Sequence, residues 1–301
     1  MTGAKTHIWS ATPTPFLADG AIDPASIERV VEQHVRIGVE GLFLAGTCGE
    51  GPFMLNEQRA DLVKKTKRAV RGRMRLAVQV SDTSAARVLA NMRAAEQAGA
   101  DEVIIAPPWI ARFANADFTR RYFFEPIEKA PLPVGVYVLK QPADSALGLE
   151  MWRELAAHPK VRLLKDSSAS DEYRDAFVAV KAKRPGLTLL TGYEFAVLPA
   201  VEAGYDGCLL GTGILIGGMI RRAMDALVQG DRAAAESWQK RSNEFLWDLF
   251  RRDLSGWLGG LKCALKRRGI FGSEFMHVSF PLTDSDRRRI DAALEREREF
   301  I

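Results

Sequence analysis

Three cysteines in 301 residues, Cys48, Cys208 and Cys263, are few, odd in number and widely spaced, with no Cys-x-x-Cys and no histidine pair beside them. That pattern argues against both a disulfide framework and a structural zinc site, and it fits a reducing compartment. No apolar stretch approaches the roughly 20 residues of a membrane span, and Met1-Thr2-Gly3-Ala4-Lys5-Thr6-His7 lacks the apolar core of a secretory leader. The expectation is a cytoplasmic protein with no membrane partner. A long stretch of one charge is also missing: 42 basic and 38 acidic side chains are interspersed for a net +4, so nucleic acid is not expected as a partner. The densest charge, Asp284 to Arg289 and Glu295 to Glu299, is mixed in sign and flanks Ile290, Ala293 and Leu294 at helical spacing, which reads as a solvated helix face. Low-complexity segments and linkers rich in Gly, Ser or Pro are absent as well.

What is present is an ordinary globular balance, 47% hydrophobic and 27% charged. Short runs rich in Val, Ile and Leu alternate with longer amphipathic stretches. The runs are His7–Ala11, Gly41–Ala45, Arg75–Val80, Glu102–Ala106, Pro133–Val138, Val161–Lys165, Thr188–Thr191 and Gly207–Leu210. Helical segments between them include Asp23–Ile37, Asn56–Val70, Ser84–Ala98 and Ala116–Lys129, with Gly38 and Gly99 where helices commonly end. After the last run come only helices, Gly218–Gln229, Asp231–Phe250, Ser255–Arg268 and Thr283–Phe300. The predicted fold is α/β: a single (β/α)8 TIM barrel, which needs about 250 residues, carrying a C-terminal helical extension. Residues 1–216 form the barrel core, and residues 217–301 supply its eighth helix and the extension. An open doubly wound sheet shares the local pattern, but the count of units favours closure.

Reactive groups of such a barrel sit at the C-terminal strand ends. Lys165 ends Val161-Arg162-Leu163-Leu164-Lys165, and alternation puts Val161, Leu163 and Lys165 on one face. Should that face point inward, apolar surroundings disfavour the ammonium and free a nucleophilic amine; the plain alternative is a lysine whose head reaches water. In Pro133-Val134-Gly135-Val136-Tyr137-Val138 the three valines suit packing under helices, which turns Gly135 and Tyr137 inward. There the phenol could relay protons, or simply be a buried tyrosine.

Gly46-Thr47-Cys48-Gly49-Glu50-Gly51 follows the second strand, and its glycines allow successive N–H groups to face an anion, with Thr47 adding a hydroxyl. A carboxylate is the plausible guest, since neither dinucleotide nor phosphate-loop spacing is present; a plain glycine turn is the alternative. A second glycine-rich segment runs from Gly204 to Gly213. Cys48 has no basic neighbour in sequence and reads as a wall residue rather than a reactive thiol.

Together these residues resemble the family of dihydrodipicolinate synthase and N-acetylneuraminate lyase. The resemblance is carried in order by Thr12-Pro13-Thr14-Pro15-Phe16, Gly46-Thr47-Cys48-Gly49-Glu50, Tyr137, Leu164-Lys165-Asp166-Ser167-Ser168, Thr191-Gly192-Tyr193-Glu194 and Gly204-x-Asp206-Gly207. It implies a Schiff-base lyase in which Lys165 condenses with pyruvate or another 2-oxo acid and Tyr137 shuttles protons. By the same resemblance, Thr47 and the backbone at Cys48 and Gly49 hold the carboxylate. Glu194 lies where sugar-acid members place polar ligands, and Leu210 and Gly211 line the pyruvate end. No metal or organic cofactor is implied. A homo-oligomer is, commonly a tetramer built as a dimer of dimers.

Two departures from the synthase pattern matter. Where synthases carry a tyrosine pair this chain reads Ala106-Pro107-Pro108-Trp109, and where they carry Tyr-Asn-x-Pro-x-Arg it reads Tyr137-Val138-Leu139-Lys140-Gln141-Pro142. The usual proton relay cannot be assembled, and the arginine's role passes to Lys140 only with a different reach. The expected activity is therefore an aldolase or dehydratase acting on another 2-oxo acid, such as a 2-oxo-3-deoxy sugar acid, or a hydratase-aldolase with a more apolar substrate. Trp109 and Phe113 hint at the apolar wall that last case needs. The alternatives are synthase activity on pyruvate and aspartate semialdehyde, and a barrel that binds a 2-oxo acid without turnover.

Overall fold

Eight parallel strands close a barrel in chain order: β1 His7–Ala11, β2 Gly41–Leu44, β3 Arg75–Gln79, β4 Glu102–Ile105, β5 Val134–Leu139, β6 Val161–Ser167, β7 Thr188–Thr191 and β8 Gly207–Leu210. The computed structural model describes residues 6–108, 115–139 and 147–301. Trp109, Phe113 and Lys140, named above as substrate contacts, lie outside the described residues. The intervening helices are α1 Pro24–Arg36, α2 Asn56–Val70, α3 Ala85–Ala98, α4 Ala116–Glu128, α5 Leu149–Ala157, α6 Asp171–Lys183 and α7 Val197–Ala203. After β8 come α8 Gly213–Val228, α9 Arg232–Phe250, α10 Trp257–Arg267 and α11 Asp284–Arg296.

The helix starts follow local chemistry. Asp23 accepts from the N–H groups of Ala25 and Ser26 ahead of a proline at the first helical position, and Ser84, Asn115 and Ser170 cap α3, α4 and α6 in the same way. Gly99 and Gly204 end α3 and α7 in the left-handed conformation that a glycine adopts without strain. α8 begins at Gly213, ahead of the start expected at Gly218 and of the 216/217 boundary. Glycine within this helix serves packing: a side chain on Gly217 would lie 3.2 Å from Ile37.

Two apolar layers result. Alternate residues of each strand face out under the helices, as Val134, Val136, Val138 and Leu164 do. The others fill the barrel, among them Trp9, Phe43, Ala77, Ile104, Tyr137, Leu163, Leu190 and Leu209. One expectation is corrected here. Val161 packs in the outer layer, not with Leu163, because the pairing runs Val134 to Val161 and then Gly135 to Leu163, leaving Arg162 as a bulge that flips the parity.

Following the registers round the ring, the residue at equal height climbs by one from each strand to the next, so alternate strands feed alternate inner layers. From the floor upward they are Gly41, Glu102, Leu163 and Gly207; then Trp9, Ala77, Gly135 and Leu190; then Phe43, Ile104, Lys165 and Leu209. Above these lie Ala11, Gln79, Tyr137 and Gly192, and at the mouth Ala45, Ala106, Ser167 and Gly211. Bulk is concentrated below Lys165 and small residues above it, which leaves a chamber over the amine.

Candidate active site at the barrel mouth

Lys165 is 4% exposed and pairs in register with Tyr137 on the adjacent strand. Its Nζ lies 4.1 Å from the centroid of the Tyr137 ring and 5.4 Å from that of Phe43, and the two rings meet edge to face. Among the described residues no carboxylate forms an ion pair with it, and these two aromatic rings flank its amine. On its other side the chain is a glycine for a steric reason: a Cβ on Gly192 would stand 2.6 Å from Lys165 Cε and 2.1 Å from Ser167 Oγ. The Tyr137 hydroxyl takes no partner among the described residues, which leaves it available to a ligand.

Residues 46–51 form a tight loop beside this chamber. Ala45 and Glu50 both adopt left-handed backbone, and Gly51 must lack a side chain because a Cβ would fall 1.8 Å from the Ala45 carbonyl oxygen. Thr14 Oγ1 donates to the Gly49 carbonyl at 2.6 Å, and the N–H groups of Glu50 and Gly51 turn back onto Thr47 and Gly46. The N–H groups of Thr47, Cys48 and Gly49 bond no other described residue, and the Thr47 side chain is exposed. Three consecutive donors without an acceptor among the described residues suit a carboxylate.

Cys48 is buried, and its thiol is pushed up to about 12, first by burial and then by the charge of Glu194, against the opposing pull of Lys165. Its sulfur lies against Gly211, in the wall of the chamber. Gly211 again makes room: a Cβ there would lie 2.4 Å from Cys48 Sγ and 3.2 Å from Glu194 Oε1. Glu194 is held by the Thr212 N–H at 2.8 Å and the Thr212 hydroxyl at 3.0 Å, both donating to Oε1. Burial holds its carboxyl above the usual range, while those two bonds and Lys165 act in the opposite direction. Lys165, Tyr137, Cys48, Glu194 and Gly211 are thus brought to one chamber with the Thr47 loop at its rim. Leu210 is not among them. Its side chain packs fully buried in the outer helix layer, because alternation turns Leu209 and Gly211 inward and Leu210 out.

Sequence reasoning missed the supports. Glu50 forms a buried ion pair with Lys262 of α10, accepts from the His277 N–H at 2.6 Å, and so ties the loop to the C-terminal helices. Burial pushes the Lys262 ammonium down against Glu50's charge, and its Nζ also donates to the Phe275 carbonyl at 2.6 Å. From α9, Gln239 Nε2 donates to the Glu194 carbonyl at 3.0 Å and Asn243 to that of Phe195 at 3.0 Å, fixing the turn that carries Glu194. On the outer face of β6, Asp166 accepts from the Tyr205 hydroxyl at 2.8 Å. Gln79, deep in the mouth, was also overlooked. Nothing local announces such partners across long separations, although the glutamate closing the glycine loop was a visible signal. No helix among the described residues is long and apolar enough to cross a membrane, and no cluster of metal-binding side chains occurs among them.

Comparison with known proteins places the chain in a family. The model of the dihydrodipicolinate synthetase family matches residues 4–297. A 4-hydroxy-tetrahydrodipicolinate synthase of Streptomyces coelicolor is 27% identical over 277 residues, covering 92% of this chain and 88% of its own length. Among solved structures, the dihydrodipicolinate synthase of Bacteroides thetaiotaomicron superposes with a TM-score of 0.85 at 25% identity, covering 98% of this chain and 100% of that one. A prophage protein of the same family from E. coli K12, solved in complex with pyruvate, does so with 0.82 at 22% identity, covering 97% and 98%.

Proposed function

This chain belongs to the dihydrodipicolinate synthetase family and is a lyase of its Schiff-base kind; we propose that Lys165 is the amine concerned and that the substrate is a 2-oxo acid cleaved or dehydrated in the chamber above it. The observation that carries this reading is the placement of one 4% exposed amine, without an ion-pair partner among the described residues, against the Tyr137 ring and beside a loop whose three N–H groups bond no other described residue. The neutral amine adds to the C2 carbonyl to give a carbinolamine, and loss of water leaves an iminium that withdraws electrons from C3. For an aldolase, Tyr137, left as a phenolate once it has protonated the water leaving the carbinolamine, takes the proton of the C4 hydroxyl, the C3–C4 bond breaks to an aldehyde and an enamine, and Tyr137 returns that proton to C3. For a dehydratase, the same phenolate takes a proton from C3 and passes it to the hydroxyl on C4, which leaves as water. Water then hydrolyses the iminium and frees Lys165.

The N–H groups of Thr47, Cys48 and Gly49, with the Thr47 hydroxyl, hold the C1 carboxylate, and Glu194 with Gly211 bounds the other side. A fixed carboxylate fixes C2 over the amine, and such orientation is worth several kcal/mol in rate. Lysine reactivity here does not need a metal or an organic cofactor. The protein works as a homo-oligomer in the cytoplasm, a reading supported by the family and by three free cysteines.

Turnover of a 2-oxo-3-deoxy acid by the native enzyme, and its loss in Lys165→Ala together with pyruvate-dependent borohydride labelling, is the test. A folded Lys165→Ala variant that retains turnover overturns the assignment. The relative's name carries a second reading, condensation of pyruvate with aspartate semialdehyde. The run Val138-Leu139-Lys140-Gln141-Pro142 after Tyr137 offers no arginine for the semialdehyde's carboxylate, so slow or absent condensation is expected. Thermal stabilisation by 2-oxo acids with no product across a broad panel is the signature of a binding-only barrel instead.

A further inference from the structure

The inner layer directly above Lys165 holds Ala11, Gln79, Tyr137 and Gly192. Ala11 and Gly192 bring no polar side chain, so Gln79 and Tyr137, on strands separated only by β4, stand side by side on one wall of the chamber as that layer's hydrogen-bonding pair. Gln79 ends β3, shares the inward parity of Ala77, and is only 3% exposed. Its Oε1 is buried without a hydrogen-bond partner among the described residues. The side chains next to it on the neighbouring strands give no donor: Ala45 and Ala106 lie above, and Phe43 and Ile104 below. Ser81, two residues on, accepts from the Ala106 N–H at 2.7 Å.

A buried amide oxygen without a donor is costly, and methionine or leucine would fill the same space without that cost. The amide therefore answers to something that enters the chamber. A hydroxyl both donates and accepts, and so serves either end of an amide.

We propose that Gln79 determines specificity by binding a hydroxyl beyond C4 of the 2-oxo acid, so that the chamber takes hydroxylated chains in preference to aliphatic ones. This rests on the Schiff-base reading above. With C2 on Lys165 and C1 toward the Thr47 loop, the rest of the substrate rises along the wall that carries these two side chains. Tyr137 serves the hydroxyl on C4, and Gln79 serves the next.

The test uses two 4-hydroxy-2-oxo acids of equal length, one hydroxylated beyond C4 and one with an aliphatic tail, in borohydride trapping across a concentration series. The native protein is expected to form the adduct with the hydroxylated acid at about 10- to 100-fold lower concentration. Gln79→Met keeps the volume and is expected to reduce that preference to within about threefold of unity. Equal trapping of both acids by the native protein, or full preference retained in a folded Gln79→Met, overturns the assignment. The native comparison stands by itself if the variant does not fold. Failure of the native protein to trap pyruvate at all strikes instead at the Schiff-base reading.

Discussion

At the floor of the barrel Gly41 and Gly207 are glycines because neighbours already fill the space: a Cβ would lie 2.3 Å from the Trp9 ring in one case and 1.9 Å from the His7 carbonyl oxygen in the other. At the mouth Gly192 and Gly211 border the chamber, where a side chain would displace Lys165, Cys48 or Glu194. The floor is finished by Trp9, 5% exposed, with the Arg75 guanidinium over its ring at 5.7 Å and bonded to Glu102 at 2.8 Å. The mouth instead leaves polar groups waiting, in Gln79, Tyr137 and the N–H groups of the Thr47 loop. One end is packed for stability and the other is kept open for chemistry, and the division runs through the layer that holds Lys165.

If the division is real, damage at each end has its own signature. Tyr137→Phe removes only a hydroxyl at the mouth and is expected to lower kcat by about 100- to 10,000-fold. Its melting temperature stays within a few degrees of the native one, and pyruvate is still trapped on Lys165. Trp9→Ala is expected to destabilise by about 3–5 kcal/mol in urea unfolding, with kcat/KM of the folded fraction changed less than about threefold; a large loss of kcat/KM would erase the contrast. Glu102 sharpens it through pH. Burial, aided by Asp101 and opposed by Arg75, pushes its carboxyl up to about 7 from the ordinary 4.5. Between those values the native state binds more protons than the unfolded chain, so stability falls as pH rises from 4.5 through 7 and is level above. The span corresponds to roughly 3 kcal/mol. Glu102→Gln should flatten that part of the stability profile without moving the pH profile of kcat. Gly192→Ala, by contrast, displaces the lysine and should lower kcat by about 100-fold with little change in unfolding midpoint, because the atoms it meets are ends of flexible side chains.

Much of this contrast was legible in the sequence. Strand parity turned Tyr137 inward and the valines of β5 outward, because a strand's period of two leaves little choice once one face is apolar, whereas for Lys165 it gave only the shared face with Leu163 and left open whether that face points in. Parity failed at Val161, where a bulge at Arg162 resets it, and it was overlooked for Leu210, which the same alternation turns outward. The start of α8 was missed because glycine lowers helix propensity whether or not a neighbouring helix needs the space. The supports of the site were invisible for a different reason. Lys262 and Glu50 are 212 residues apart, and only the closed fold brings α10 to the loop. Gln79 was passed over because one amide in an apolar strand carries no periodic signal.

The two lysines buried among the described residues offer the most direct test of the account. Lys165 is flanked by aromatic rings with no described carboxylate paired to it, whereas Lys262 is committed to Glu50. Peptide mapping by mass spectrometry after pyruvate and borohydride treatment is predicted to find one adduct per chain, on Lys165. An adduct on Lys262 or on surface lysines with Lys165 unmodified, in a protein that is otherwise folded, would contradict the account.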